Sequence, residues 1–351
     1  MRTGILRPGR PVVDGLVGTV LVRDIVVGGA RWTKGRRLTA DDLATLAAPG
    51  AVAPGIEALT VIMPGEDDLH EDEAALRLAQ AVAGPGLTQR GPTESRVDLL
   101  AEADGVLHVR SRDLELLNRI DPLEVFTALD GSIVQAGQLV ASVKIAPHVV
   151  AAATIEAGAR HAAGGQRPLV WLAPFQPMRV AVVVKESLRA ADRERFERSA
   201  REKIESLGSR VVVITYVPDR LGPVEAALAS VTRGKHRSEV VLTAGGRSTD
   251  PGDPFFVAIE RLGGRIVRHG VPAHPGSMLW LARVGRTAVL GLPTCGAYSK
   301  ATAADLLLPR LLTGEPPTLQ TVSRLGHGGL LTRDMRFRFP PYARRLDAPE
   351  G

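Results

Sequence analysis

Residues 239–256 read EVVLTAGGRSTDPGDPFF. Glu239–Thr243 is almost wholly aliphatic or β-branched, as a strand buried on both faces should be. The run stops at Ala244-Gly245-Gly246, and Pro254 opens a short apolar helix over 254–262. A buried strand that passes through a glycine turn into a helix is one βα unit of an α/β sheet. The neighbouring sequence supplies the others.

Met178–Val184 (MRVAVVV) is a continuous apolar run and reads as the first strand. Ala190–Leu207 follows as a helix, with Phe196, Ala200, Ile204 and Leu207 on one face and Gly208 as its stop. Arg210–Val217 (RVVVITYV) is a second strand, and Val224–Val231, just after Pro223, a second helix. Gly264–Arg268 is a fourth strand. Leu279–Val284 and Thr287–Leu290 flank Gly285-Arg286 as a hairpin, and Ala297–Leu312 closes as a helix. Alternating strands and helices imply right-handed crossovers and a three-layer, mostly parallel α/β sheet over 166–315. The tail, 316–351, is rich in Gly, Pro and Arg and is expected as loop or two short strands.

Residues 1–165 have a different rhythm and read as an irregular α+β region. Val17–Val22, Ile25–Val27 and Leu59–Met63 are strand-like. Thr39 caps a helix with acidic residues in its first turn. Glu71–Val82 has helical apolar spacing. Asp104-Gly105 suggests a hairpin, and a strand-rich stretch runs from Asp130-Gly131 through Ile145. His70-Glu71-Asp72-Glu73 resembles a metal cluster, but four consecutive residues cannot face one ion on a helix. It reads as a solvated first turn, and no metal site is expected.

The 351 residues suggest about two domains. With 44% hydrophobic and 23% charged residues, a disordered chain is excluded. The single Cys295 excludes a disulfide framework and a multi-cysteine metal centre. The first residues, MRTGILRPGRPVVDG, lack an apolar core for a secretory leader, and no apolar run is long enough to span a bilayer. A cytoplasmic protein is expected. The net charge of +6 is scattered, and only 7 Phe, 3 Trp and 3 Tyr could stack on bases. That pattern favours small anionic ligands over nucleic acid.

In a parallel sheet, ligands bind beyond the carboxyl ends of the strands. Two loops fall there. In the first, 243–253, Gly245 and Gly246 allow close approach of backbone amides to an anion. Thr243, Ser248 and Thr249 add hydroxyls, and Arg247, Asp250 and Asp253 add charge. This is a phosphate-type site or a plain tight turn with a capped helix. The second, GLPTCG at 291–296, also joins a strand to a helix. Cys295 reads as a packed thiol or as a nucleophile activated at a helix start; no partner His or Asp is evident. Ser299 and Lys300 could touch a phosphate.

Residues 178–313 resemble the molybdopterin-binding domain shared by molybdopterin adenylyltransferases and molybdopterin molybdenumtransferases. The adenylyltransferase loop Gly-Gly-Thr-Gly-x-Thr-Pro-Arg-Asp aligns with Gly245–Asp253, matching both glycines, Pro251 and Asp253. The molybdenumtransferase loop Gly-Leu-Pro-Gly-Asn-Pro is matched by Gly291-Leu292-Pro293, and its Pro-Gly by Pro275-Gly276. A subgroup of molybdopterin-binding proteins with Pro-Gly-Cys in the second loop and His-Glu-Asp-Glu-Ala-Ala upstream is similar to nearly the whole chain, with His70–Ala75 as the upstream match. There are departures. Thr294 and Cys295 replace Gly and Asn. The first strand of the family ends in Ser-Thr-Gly-Asp-Glu, where this chain keeps Glu186 but has Lys185 for the preceding acid.

The resemblance implies a protein that binds molybdopterin or the molybdenum cofactor, with Thr243, Gly245, Gly246, Arg247, Ser248, Asp250, Pro275, Gly276, Pro293, Thr294, Cys295, Ser299, Lys300, Lys185 and Glu186 as binding residues. Asp253 is its candidate catalytic residue. Two roles stay open: a carrier or chaperone that supplies a molybdenum enzyme, and an active transferase using carboxylate-held Mg²⁺. Lys185 favours the carrier. It is expected to approach Asp253 and to place a fixed positive charge beside the ligand's phosphate in the role of Mg²⁺. The N-terminal region is expected to cover the site or form the contact of a homo-oligomer.

Overall fold

The computed structural model describes residues 2–11, 15–185, 189–247, 249–292 and 301–344. They form two compact units. No described helix is long and apolar enough to cross a membrane.

The first unit comprises residues 1–102, 108–130 and 136–172. Its centre is a four-stranded antiparallel sheet ordered 123–127, 139–145, 96–101, 87–93. Helix Glu71–Val82, with the bounds its apolar spacing implies, packs on this sheet and on helix Ala152–Ala163. Thr39 caps Ala40–Ala47 in a reciprocal box with Asp42. The half-buried side chain of Arg110 donates to the carbonyls of His161 and Ala162, closing the carboxyl end of helix 152–163.

Two expectations for this unit need correction. Asp104-Gly105 does not join 96–101 to 105–109 as a hairpin. Both backbone groups of Ala101 bond to residues 137–138, and the Glu102 amide donates to Gly86, so the ladder is already filled. The hairpin turn lies at Glu94-Ser95 instead, where φ is 49° and 63°, as a tight two-residue turn requires. The start of helix 71–82 is also less solvated than expected. Glu71 is buried, with Oε2 2.9 Å from His148 Nδ1, and His70 Nε2 lies 2.7 Å from the Gly35 carbonyl.

The second unit comprises 103–107, 131–135 and 173–351. Its elements are β1 (Arg179–Val184), α1 (Ala190–Glu205), β2 (Arg210–Tyr216), α2 (Leu221–Thr232), β3 (Val240–Ala244), α3 (Pro254–Arg261), β4 (Arg265–His269), β5 (Trp280–Val284), β6 (Thr287–Gly291) and α4 (Ala304–Leu311). The sheet order is β2-β1-β3-β6-β5-β4. The first four are parallel, and β5 and β4 complete the edge antiparallel.

Strand alternation explains the unbroken apolar runs. Val180, Val182, Val184, Leu242 and Ala244 enter a core with Phe196 and Ile204 of α1 and Leu307, Leu308 and Leu311 of α4. Ala181, Val183 and Val241 enter a different core with Val224, Leu228 and Val231 of α2 and Phe255 and Ile259 of α3. β1 and β3 are therefore apolar at nearly every position. The connection β1–α1–β2 runs to one side of β1, and the next strand, β3, lies on the other. The carboxyl ends of β1 and β3 thus flank a topological switch point.

The tail is not the loop or strand pair expected. Leu319–Ser323 and Pro341–Arg344 are helical, with 3₁₀ turns at 324–326 and 333–338. Thr318 caps the first turn, and Val322, Leu325, Leu331, Phe339 and Tyr342 join the α1/α4 core. Tyr342 also donates to Asp305 Oδ1 at 3.1 Å, and Lys203 of α1 reaches the same oxygen at 2.6 Å. Burial, then the Asp305 carboxylate, pushes the Tyr342 phenol well above its usual range.

Packing is tightest where Gly291 faces Trp280 across β5–β6. A Cβ on Gly291 would lie 1.9 Å from Trp280 Cε2, and Trp280 is 1% exposed. Gly291→Ala should lower stability by about 3 kcal/mol through overpacking. Gly222→Ala, in the first turn of α2 with open space around it, should be neutral or slightly stabilising. Urea midpoints at constant slope check both.

Candidate functional site

Lys185 follows the last residue of β1, and its amide donates to Ala244 O at 3.1 Å, extending the register with β3. Its side chain falls on the α2/α3 face by alternation. The ammonium is fully buried, 2.6 Å from Asp253 Oδ2 and 2.8 Å from Asp219 Oδ1, with the Phe255 ring 5.4 Å away. Asp219 lies in the turn after β2. Asp253 caps α3 and accepts from Phe255 N at 2.8 Å through Oδ1, while its Oδ2 also accepts from Arg247 N at 2.7 Å. The exposed Arg247 guanidinium returns to Asp219 Oδ2 at 2.5 Å. Two cations and two carboxylates close a neutral ring across the switch point.

The geometry shows how two of the expected residues are held. Asp253 is fully buried and its carboxylate already has three donors, which fix the loop. Lys185 does approach Asp253, but its charge faces two carboxylates and not the space above the loop. Lys185 first, then Arg247, holds the Asp219 carboxyl below its usual range.

The loop itself is two successive turns. Asp250 N donates to Arg247 O and Asp253 N to Asp250 O, each at 3.0 Å, and Asp250 Oδ1 accepts from Gly252 N. Asp250 is thereby occupied within the loop. Gly245 takes φ 85°, a left-handed value that suits glycine. Its amide and that of Gly246 have no acceptor among the described residues. Thr243 is 1% exposed, and its Oγ1 has no hydrogen-bond partner among the described residues. Buried hydroxyls are normally satisfied, so this one calls for a water or a ligand atom.

Pro275 and Gly276 pack on the start of α4. The Pro275 carbonyl accepts from Ala303 N at 2.9 Å, and a Cβ on Gly276 would lie 2.9 Å from that nitrogen. The second loop begins at the same edge, where Leu292 N donates to Thr243 O. Ser248, Glu186, Pro293, Thr294, Cys295, Ser299 and Lys300 lie outside the described residues. The residue that sequence reasoning missed is Asp219. Its signal was an acid just past the end of a buried strand, in Val217-Pro218-Asp219.

The fold and its switch point define an open, doubly wound α/β domain with a glycine turn at the carboxyl edge of its sheet. Residues 180–313 match the family model described as a probable molybdopterin binding domain. No curated protein matches the sequence. Among solved structures, the molybdopterin biosynthesis enzyme MoaB from Thermus thermophilus is 21% identical over 40% of this chain and 98% of its own, with a TM-score of 0.31. The molybdopterin biosynthesis MoeA protein from Pyrococcus horikoshii is 15% identical over 74% of this chain and 81% of its own, with a TM-score of 0.30.

Removing the buried ammonium should be costly. Lys185→Met leaves Asp253 buried without its cation and should destabilise the protein by about 3–5 kcal/mol. Lys185→Met combined with Asp253→Leu should recover part of that loss, read by thermal denaturation. Acid should act on the same ring. Folded Asp219 titrates below an unfolded carboxylate, so the unfolded chain takes up the proton first. Its contribution is full above about pH 4 and is lost as pH falls through the folded value. Asp42, held low chiefly by Arg36, and Asp98, held low chiefly by Arg96, add to stability with the same sign. Asp219→Asn should flatten the acid limb of a stability–pH curve.

Proposed function

We propose that the chain binds molybdopterin, free or as the molybdenum cofactor, at the carboxyl edge of β1 and β3. It serves molybdenum cofactor biosynthesis or delivery as a carrier or chaperone. The observation that carries this reading is the neutral ring of Lys185, Asp219, Asp253 and Arg247 beneath the Gly245-Gly246 turn. The ring fixes the turn, and the turn presents backbone amides to an anionic group. The Thr243 hydroxyl adds a donor from the strand below. Ser248, Ser299 and Lys300 complete the phosphate contacts in this reading.

The residues do not fit Mg²⁺ at Asp253 and Asp219. The two acids that converge at the switch point converge on the Lys185 ammonium, at 2.6 and 2.8 Å. A divalent ion would have to displace a tethered, buried cation. No step is therefore assigned to Mg²⁺, and the carrier is favoured over the transferase. Delivery makes a molybdenum enzyme the partner, with a cytoplasmic homo-oligomer as the working form.

Binding of molybdopterin to the purified chain should be unchanged by EDTA. Gly246→Val should weaken it about tenfold or more by blocking approach to the turn. A Cβ at Gly246 meets nothing closer than 3.4 Å, so the fold should tolerate the change. Unaltered affinity in that variant would remove the loop from the site. With molybdopterin, ATP, molybdate and Mg²⁺ supplied together, no adenylated or metallated product should form. Mg²⁺-dependent turnover abolished by Asp253→Asn would restore the transferase.

A further inference from the structure

The amino-terminal edge of the same sheet holds a cavity of about 480 Å³. Its floor is apolar, with Met178 before β1, Val240 of β3, Ala288 of β6 and Leu311 of α4. Three arginines border it: Arg237 before β3, Arg283 near the end of β5 and Arg286 in the β5–β6 turn. Arg283 Nε donates to the Gly285 carbonyl at 3.0 Å. None of the three guanidinium groups forms an ion pair among the described residues. The two acids at the rim have other engagements: Glu239 accepts from Arg179 N at 2.8 Å, and Glu315 has partners of its own.

We propose that this cavity is a second ligand site, for a small organic phosphate. A guanidinium presents paired N–H donors that match the oxygens of an anion. Three such groups around one cavity exceed what a single carboxylate can use, whereas a dianionic phosphate accepts at several oxygens. The apolar floor suits the organic body, and the volume falls in the range of small-molecule sites. β3 has five residues between this edge and the Gly245-Gly246 turn, a separation of about 16 Å at the usual strand rise. The two edges therefore hold different ligand groups, and this site stands whether or not the molybdopterin reading does.

The test is calorimetric titration of the full chain with AMP and with phenyl phosphate, using inorganic phosphate and citrate as comparators. At least one organic phosphate should bind with one molecule per chain, about tenfold tighter than either comparator. Arg237→Ala and Arg286→Ala should each weaken it about tenfold. Both residues are exposed, so circular dichroism should show an unchanged fold. Arg247→Ala, at the opposite edge, should leave this binding unaltered. No binding of either organic phosphate below ~10 mM, tighter binding of citrate, or a loss caused by Arg247→Ala but not by Arg286→Ala would each overturn the proposal.

Discussion

A fully buried ammonium between two carboxylates organises the carboxyl edge of the six-stranded sheet. An isolated charge taken out of water costs several kcal/mol, so Lys185 is tolerable only with Asp253 and Asp219 in place. Asp253 in turn can be buried only because the Lys185 ammonium and the amides of Arg247 and Phe255 converge on it. Each group makes the next admissible. The ends of β1, β2 and β3 are tied together by that chain of dependence, and the glycine turn has little freedom left.

The same constraint distributes the donors. The Arg247 amide is held by Asp253, and the helix start at Phe255 is capped by it. Among the described residues, what is left open at this edge is the pair of amides at Gly245 and Gly246 and the hydroxyl of Thr243. The two cations of the cluster are matched by Asp219 and Asp253, with Asp250 a further acid 3.7 Å from Arg247, so the edge offers directional donors without a net positive charge of its own. Specificity here would come from fit to fixed N–H directions. Attraction over distance would fall to residues elsewhere on a chain whose net charge is +6.

Much of the second unit was legible in the sequence because burial on both faces leaves a period-free apolar run, which few other environments produce. Val180–Val184 and Val240–Thr243 are such runs, and the glycine turn after the latter is where the ligand edge begins. In the first unit the caps were legible: Thr39 and the apolar spacing of 71–82 are local signals. The illegible features are those fixed by distant partners. The Asp104-Gly105 turn chemistry is genuine, but residues 137–138 had already taken the backbone of Ala101. Lys185 could be placed near Asp253 from topology, yet its direction depends on Asp219, 34 residues away. The tail looked structureless because its apolar residues are few; they count because the α1/α4 core accepts them.

Trp280 gives the molecule a built-in optical reporter. The chain has 3 tryptophans, and Trp32 and Trp171 both belong to the first unit. Trp171 stacks on His108 at 4.8 Å, and Arg36 sits 4.3 Å over Trp32. Trp280 alone belongs to the second, pressed against Gly291 and edge-on to Phe256 at 5.1 Å, with its indole nitrogen directed toward Gly246. At 1% exposure its indole is dry and tightly packed beneath the glycine turn. A single fluorophore therefore sits beneath the glycine turn of its unit, whereas the other two have a cation and an imidazole as neighbours.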